Sequence, residues 1–381
     1  MAVMKILSTP DTENKKIKTY PEVELLLCCA RTQLDPATIE RIKVLVQQDL
    51  NWTHIIPAAV LHKVMPLLYQ NLNNICPELV PKAVLAQILS YFQANVRRNL
   101  SLTGELIKLL NLFESQGISV IPIKGAILAI SAYGNIALRQ FNDIDILVRQ
   151  QEALIARDLL VSKGYESSYK FTREQEVARL KSPFCKDNNY HHKDTGINID
   201  FHWQLLQRYL SFPLEHEGLW ERHKSVSLAG KSILNLSPED NLLFLCVHGS
   251  RDRWKQLQLI SDVATLICVS PDIDWGLVIE QANILGCRRR LLLGTLLAKD
   301  LLGIELPEEI LRRIQAEPEI KLLTTEVTER LFRQTDEISK LFDKSFFDIR
   351  IRERLQDRVQ YSIYQSILVI ARSNRLFPAW I

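Results

Sequence analysis

Glycine is scarce in this chain, with 13 in 381 residues, about half the average usage of about 7%. A turn-dense all-β fold is therefore disfavoured. No C-x-x-C spacing occurs among the seven cysteines, Cys28, Cys29, Cys76, Cys185, Cys246, Cys268 and Cys287, which excludes the usual zinc motifs. Their odd number and apolar neighbours suit reduced, buried thiols in a cytoplasmic protein, and no disulfide partner is expected. Long hydrophobic runs are missing as well. Segments 291–298 and 363–371 are the most apolar later stretches, well short of the roughly 20 residues that span a bilayer. The first eighteen residues mix lysines with acids and lack the apolar stretch of a secretory signal. Charge of one sign is not in excess either. Lys+Arg 47 against Asp+Glu 44 gives +3, a balance that does not require a nucleic-acid partner but leaves room for a local basic face. There is no internal repeat and no low-complexity tract.

What is present is a soluble-type composition, 47% hydrophobic and 24% charged, in a length that fits roughly two domains at about 150 residues each. From Tyr20 to about Gln116 apolar residues recur at three- and four-residue spacing, as in Leu102, Leu106, Leu109, Leu110 and Phe113, which predicts helices. Asp35-Pro36 and Ile56-Pro57 read as loop-to-helix junctions. After Gly117 the texture changes. A short β-branched run, 118–123, precedes Lys124-Gly125 and a small-residue helix, 126–132; 141–148 alternates acid with aliphatic, as a strand does. An amphipathic helix over 151–163 and a hairpin over 184–203, turning at 194–196, complete the unit. Beyond Ser237-Pro238 the chain reads as helical again. The expected fold class is α+β and mainly helical, with a small mixed sheet. It divides into an N-terminal helical region, 1–116, an α/β core, 117–235, and a C-terminal helical domain, 236–381. Arg288-Arg289-Arg290 reads as a solvated helix end, and Arg350, Arg354 and Arg358 as a salt-bridged helix face.

The chemistry concentrates in the core. Side chains at i and i+2 of a strand share a face, so Asp143 and Asp145 point one way while Ile144 and Ile146 point into the core. Two adjacent carboxylates repel, and a cation removes that cost; oxygen ligands of this kind suit Mg²⁺ or Mn²⁺. Asp200 and His202 share a face in a second strand. Three strand-borne carboxylates are enough to hold two metal ions that clamp an in-line phosphoryl or nucleotidyl displacement. Lys124-Gly125 at a strand-to-helix turn supplies free backbone N–H groups, a helix dipole and an ammonium for a triphosphate, and Arg139 supplies a bidentate phosphate contact.

This arrangement resembles the polymerase-β-like nucleotidyltransferase superfamily. It is more closely similar to a bacterial nucleotidyltransferase group with a Lys-Gly turn, an Arg…Asp-x-Asp strand and a later Asp-x-His-Trp strand. Here these are Lys124-Gly125, Arg139, Asp143-Ile144-Asp145 and Asp200-Phe201-His202-Trp203. Cys246-Val247-His248-Gly249, Trp254, Leu257 and Asp262 resemble a second block, and the likeness covers roughly residues 100–270. It departs from the wider superfamily in having Lys-Gly where Gly-Ser is usual, and in a longer gap from Gly125 to Asp143. The resemblance implies a nucleoside triphosphate substrate, Mg²⁺, and transfer of a nucleoside monophosphate with loss of pyrophosphate. Asp143, Asp145 and Asp200 would be metal ligands, with Asp200 helping to deprotonate the acceptor.

His248, Lys255 and Asp262 recur every seven residues, with Arg251 beside them, and on a continuous helix they form one polar stripe. Together with His202 they are candidates for the acceptor pocket or for supporting the ligands. The acceptor class, whether small molecule, RNA end or protein, stays open. Two competitors stand beside the transferase reading. One is a metal-dependent hydrolase using His191 and His192 with Asp194, Asp200 and His202, disfavoured because neighbouring strand residues face opposite sides and the two histidines cannot both face Asp200. The other is a non-catalytic nucleotide-binding or interaction protein with a degenerate transferase fold. Trp203, Trp220 and Trp254 are expected to pack in the core.

Overall fold

A computed structural model describes residues 20–182, 185–205, 216–332 and 346–374. Five helices come first: α1 (Pro21–Cys29), α2 (Pro36–Val46), α3 (Trp52–Leu61), α4 (Met65–Ile75) and the long α5 (Lys82–Glu114). Asp35 caps α2 by accepting from the Thr38 amide at 2.8 Å, with Pro36 in the first turn. The Ile56-Pro57 junction is not realised. Asn51 caps α3 instead, and Pro57 lies inside that helix. Its ring sits on the exposed face, where the carbonyl that a missing N–H leaves free is open to solvent rather than to the core.

The core sheet is mixed and runs in the order β1-β2-β5-β4-β3. Its strands are β1 (Val120–Pro122), β2 (Ile144–Val148), β3 (Tyr165–Ser167), β4 (Asp187–His192) and β5 (Asn198–His202). β2 and β5 are parallel and the other pairs antiparallel. The alternating segment 141–148 becomes a strand only from Ile144, so Asp143 precedes the ladder. Helices α6 (Gly125–Ser131), α7 (Ala153–Ser162) and α8 (Arg173–Lys181) join the strands. Thr172 and Gln175 close a capping box on α8. After α9 (His216–Glu221), a separate hairpin pairs β6 (Lys224–Leu228) with β7 (Lys231–Asn235). Its two-residue turn, Ala229-Gly230, has positive φ at both positions, as a tight hairpin turn demands.

The remaining helices are α10 (Pro238–Arg251), α11 (Leu257–Val269), α12 (Trp275–Leu285), α13 (Arg288–Leu302), α14 (Glu308–Gln315) and α15 (Pro318–Phe332), followed by a turn of helix at 346–350 and a last helix, Leu355–Asn374. The helices before the sheet and those after it share one hydrophobic core, with Leu25, Leu68, Trp254 and Leu293 inside it. Ser261 of α11 donates to the Ala30 carbonyl at 2.9 Å across that junction. A second core, including Phe113, Ile146, Leu160 and Phe201, lies against the sheet.

Three expectations about charged helix faces are corrected. The 248–262 stripe is broken, because Arg253 and Trp254 both take positive φ and end α10. Trp254 then folds back, fully buried, against Gly249 and Gly294, where a Cβ would lie 2.4 and 2.9 Å from its ring. Arg289 and Arg290 are buried rather than solvated: Arg289 pairs with Glu317 at 2.6 Å, and the Arg288 and Arg289 amides donate to Glu353. Arg350, Arg354 and Arg358 do not share one helix either. Arg350 pairs with Glu319 and Glu326, and Arg354 donates to the carbonyls of Asn283 and Ile284. Trp203, Trp220 and Trp254 are core residues, and six of the seven cysteines are buried, Cys268 being the exposed one. No helix among the described residues is long and apolar enough to cross a membrane.

Candidate active site

The parallel pairing of β2 with β5 sets Asp145 opposite Asp200, and Leu147 opposite His202. The antiparallel pairing on the other side of β5 sets Asp187 opposite His202 and Asn189 opposite Asp200. Register alone therefore gathers these polar residues at one end of the sheet. Ligand atoms of Asp145, Asp200 and His202 all lie within 4.8 Å of one another. Two carboxylates and an imidazole form a donor set that fits a divalent cation. Asp143 stands one step before the strand and outside that trio, close enough to feel the charges of Asp145 and Lys124.

Lys124 caps α6 with φ 56° and ψ −138°, a conformation rarely adopted by a residue with a side chain and therefore one the surroundings must impose. The turn aims its ammonium 2.9 Å from Asp145 Oδ1. The His202 Nε2 lies 3.2 Å from the same oxygen, and Lys186 Nζ lies 3.3 Å from His202 Nδ1. A lysine ammonium only donates, so His202 is assigned as accepting at Nδ1 and donating from Nε2 to Asp145. Lys186 also donates to Asp187, and Asn189 donates to Asp200.

These contacts divide the carboxylates. Burial alone would raise Asp145, but the Lys124 ammonium and the His202 hydrogen bond outweigh it and hold the group far below the usual range. Asp200 is pushed up to about 6 by burial and by the Asp145 and Asp143 charges. Asp143 is raised by burial and by Asp145. Burial and the Lys186 charge bring His202 down to about 4, so near neutral pH it is an uncharged imidazole. One basin thus holds an ionised carboxylate, a carboxyl with proton affinity near neutral, and several cations.

A chamber of about 200 Å³ opens beside Asp145 and Asp200, lined also by Lys124, His202, Lys186, Asp187, His248, Arg251, Leu205 and Phe244. Of the second-block candidates, His248 alone reaches this chamber; Arg251 joins it from the end of α10. Lys255 is exposed and lies 3.6 Å from Asp252. Asp262 is buried in another role: its two oxygens accept from Arg139 Nε and NH2 at 2.8 and 2.9 Å, and Oδ1 also accepts from the Tyr133 hydroxyl at 2.7 Å. Arg139, expected on a phosphate, thus has its fork filled by a carboxylate of α11. The segment around it is held by amides. Asn95 donates to the Ala137 carbonyl, Asn99 to those of Ile136 and Arg139, and Gln258 to that of Gln140. This strapped segment delivers Asp143 and Asp145 to the sheet end. Gly125 follows Lys124 with φ +42°, packed under the Asp143 carbonyl. His191 points away, half exposed beside Glu166.

Sequence reasoning missed Lys186 and Asp187, whose signal was the hairpin register that sets Asp187 opposite His202. It also missed Lys63, from the segment between α3 and α4, which interacts with the Asp143 charge.

A mainly helical α+β chain with carboxylates on neighbouring parallel strands, beside a lysine-glycine turn, has the layout of a nucleotidyltransferase. The chain belongs to the uncharacterised nucleotidyltransferase family, whose family model matches residues 48–303. Among solved structures it is similar to the crystal structure of an antigenic nucleotidyltransferase-like protein from Paracoccidioides brasiliensis, at 14% identity and a TM-score of 0.34, over 60% of this chain and 91% of that one. No curated protein matches the chain.

Proposed function

We propose that this protein is a divalent-metal-dependent nucleotidyltransferase that moves a nucleoside monophosphate, AMP from ATP, to a hydroxyl or phosphate acceptor and releases pyrophosphate. The reading includes a cytoplasmic setting, in keeping with its largely buried thiols. The observation that carries it is the convergence of Asp145 and Asp200 from paired parallel strands onto one point beside the Lys124 turn. Asp145 and Asp200, with Asp143 beside them, would hold Mg²⁺ or Mn²⁺. His202 supports Asp145 by hydrogen bond or joins as a ligand. The bound metal supplies Lewis acidity and neutralises triphosphate charge.

The chain's own groups do the rest. Asp200, with its raised proton affinity, takes the acceptor's proton as the acceptor oxygen bonds to the α-phosphorus and the α–β bridging bond breaks. Lys124 and the amides at the start of α6 stabilise charge on the departing pyrophosphate. Arg139 serves this site by holding the 135–143 segment through Asp262.

The test incubates the protein with each α-labelled nucleoside triphosphate, Mg²⁺, and cell extract split into RNA, protein and small molecules. Label in one fraction that vanishes with Asp145→Asn supports the reading and names the acceptor class. ATP with Mg²⁺ raising the melting temperature without label transfer would favour a nucleotide-binding protein instead.

A further inference from the structure

The chamber beside Asp200 has a composition that the transfer chemistry alone does not use. Lys186 enters from the residue just before β4, and His248 and Arg251 from the end of α10. The Lys186 side chain is 8% exposed. Of its three N–H donors, one goes to Asp187 and one to His202 Nδ1, which leaves the third for the chamber. Arg251 donates from Nε to Asp252 at 3.1 Å and from NH2 to His248 Nδ1 at 3.0 Å. With Nδ1 accepting, His248 is assigned its proton on Nε2, a neutral donor.

The chamber's place relative to the carboxylates is informative. It takes in Asp200, the group proposed to accept the proton, but neither Asp143 nor Gly125. On the transfer reading this makes it the acceptor's side of Asp145, with the α6 turn on the nucleotide's side. Lys124 borders both.

We propose that Lys186, Arg251 and His248 form a subsite for a phosphate group carried by the acceptor, so that the acceptor is a small phosphorylated alcohol. This rests on the nucleotidyl-transfer reading. An ammonium, a guanidinium and an imidazole N–H arriving from two elements suit a tetrahedral dianion, which takes donors from several directions. Asp187 holds Lys186 in place. At about 200 Å³ the chamber is smaller than the roughly 300–1,000 Å³ of sites that enclose a whole drug-sized ligand. It has room for a phosphoryl group and a few further atoms, and Asp200 is part of its lining.

The experiment titrates the full-length protein calorimetrically with inorganic phosphate and, separately, with ATP and Mg²⁺. The native protein is expected to bind both. Lys186→Met and Arg251→Met should each weaken phosphate binding by about tenfold or more, and Arg251→Met, whose native side chain bonds to none of Asp145, Asp200 and His202, should leave ATP affinity within about twofold; Lys186→Arg should retain phosphate. Circular dichroism confirms that each variant is folded, and Arg251, partly exposed, guards against a folding defect at Lys186. Absence of phosphate binding by the native protein overturns the subsite. Equal loss of ATP and phosphate binding overturns it too, because the chamber then holds the triphosphate. Phosphate binding that needs Lys186, with no ATP binding at all, removes the transfer reading and leaves a phosphate site.

Discussion

The Lys124 ammonium lies 2.9 Å from Asp145 Oδ1, the oxygen that also receives His202 Nε2 at 3.2 Å. A lysine therefore neutralises the carboxylate that a metal would use. A divalent ion bound here would compete with that ammonium, and a displaced lysine would stand beside the triphosphate it is proposed to bind.

Lys124→Met should lower nucleotidyl transfer by about 10²–10³-fold, the usual scale for losing one electrostatic stabiliser of a transition state. Metal binding, measured by calorimetry, should be kept or strengthened because a competitor is gone. Weaker metal binding in this variant would contradict the competition.

Asp200 gives a pH signature. Its folded-state pKa of about 6 exceeds its ordinary 3.8, so between those values the metal-free fold holds a proton that the unfolded chain has released. Its contribution to stability is present at low pH and is lost as pH rises through about 6. With Asp200 as a ligand, as proposed, Mg²⁺ would displace the same proton, so affinity should rise about tenfold per pH unit below 6 and level off above it. Calorimetric titrations from pH 5 to 8 check this, and Asp200→Asn should flatten the profile. A native profile that is already flat would remove Asp200 from the metal site.

The three acids should separate by role. Asp145→Asn and Asp200→Asn should each reduce transfer by at least about 10²-fold and weaken metal binding, while Asp143→Asn, outside the 4.8 Å trio, should cost less metal affinity. Parallel kinetics and calorimetry on the three variants would rank them. An equal loss at Asp143 would draw it into the ligand set.

Breaking the buried pair between Arg139 and Asp262 should be costly. Arg139→Met leaves an uncompensated buried carboxylate and should destabilise by about 3–5 kcal/mol, whereas Arg139→Met with Asp262→Leu should recover much of that. Urea unfolding of the single and double variants tests it. Additive losses would show that the two side chains act independently.

Gly249→Ala should cost about 1–3 kcal/mol through overpacking, since the new Cβ meets the buried Trp254 ring. A melting temperature equal to the native value would show that the ring has room to move.

Much of the site was legible because strand chemistry is local. Alternation in 141–148 and 197–203 disclosed the strands, and the i, i+2 rule put Asp200 with His202 on one face. Asp143 misled slightly, since a ladder's first hydrogen-bonded residue depends on its partner strand rather than on its own sequence. Arg139 could not be assigned from the sequence, because its partner is 123 residues away and a free guanidinium looks the same before a phosphate or a carboxylate. The seven-residue recurrence of His248, Lys255 and Asp262 predicted a stripe only for an unbroken helix. The break comes at Arg253 and Trp254, and the packing of that tryptophan against Gly249 is a tertiary fact. Lys186 was hidden for the opposite reason: a lone lysine carries no pattern, and only the register of the hairpin gives it a place.

The amides that hold 135–143 come from both sides of the sheet in sequence, Asn95 and Asn99 from α5 and Gln258 from α11. The carboxylates are therefore not a portable cassette. A fragment cut at 117 and 235 would keep Asp143, Asp145, Asp187 and Asp200 and lose all three donors that shape the approach to Asp143. Transplanting this site into another scaffold would mean carrying a helix from either flank along with it.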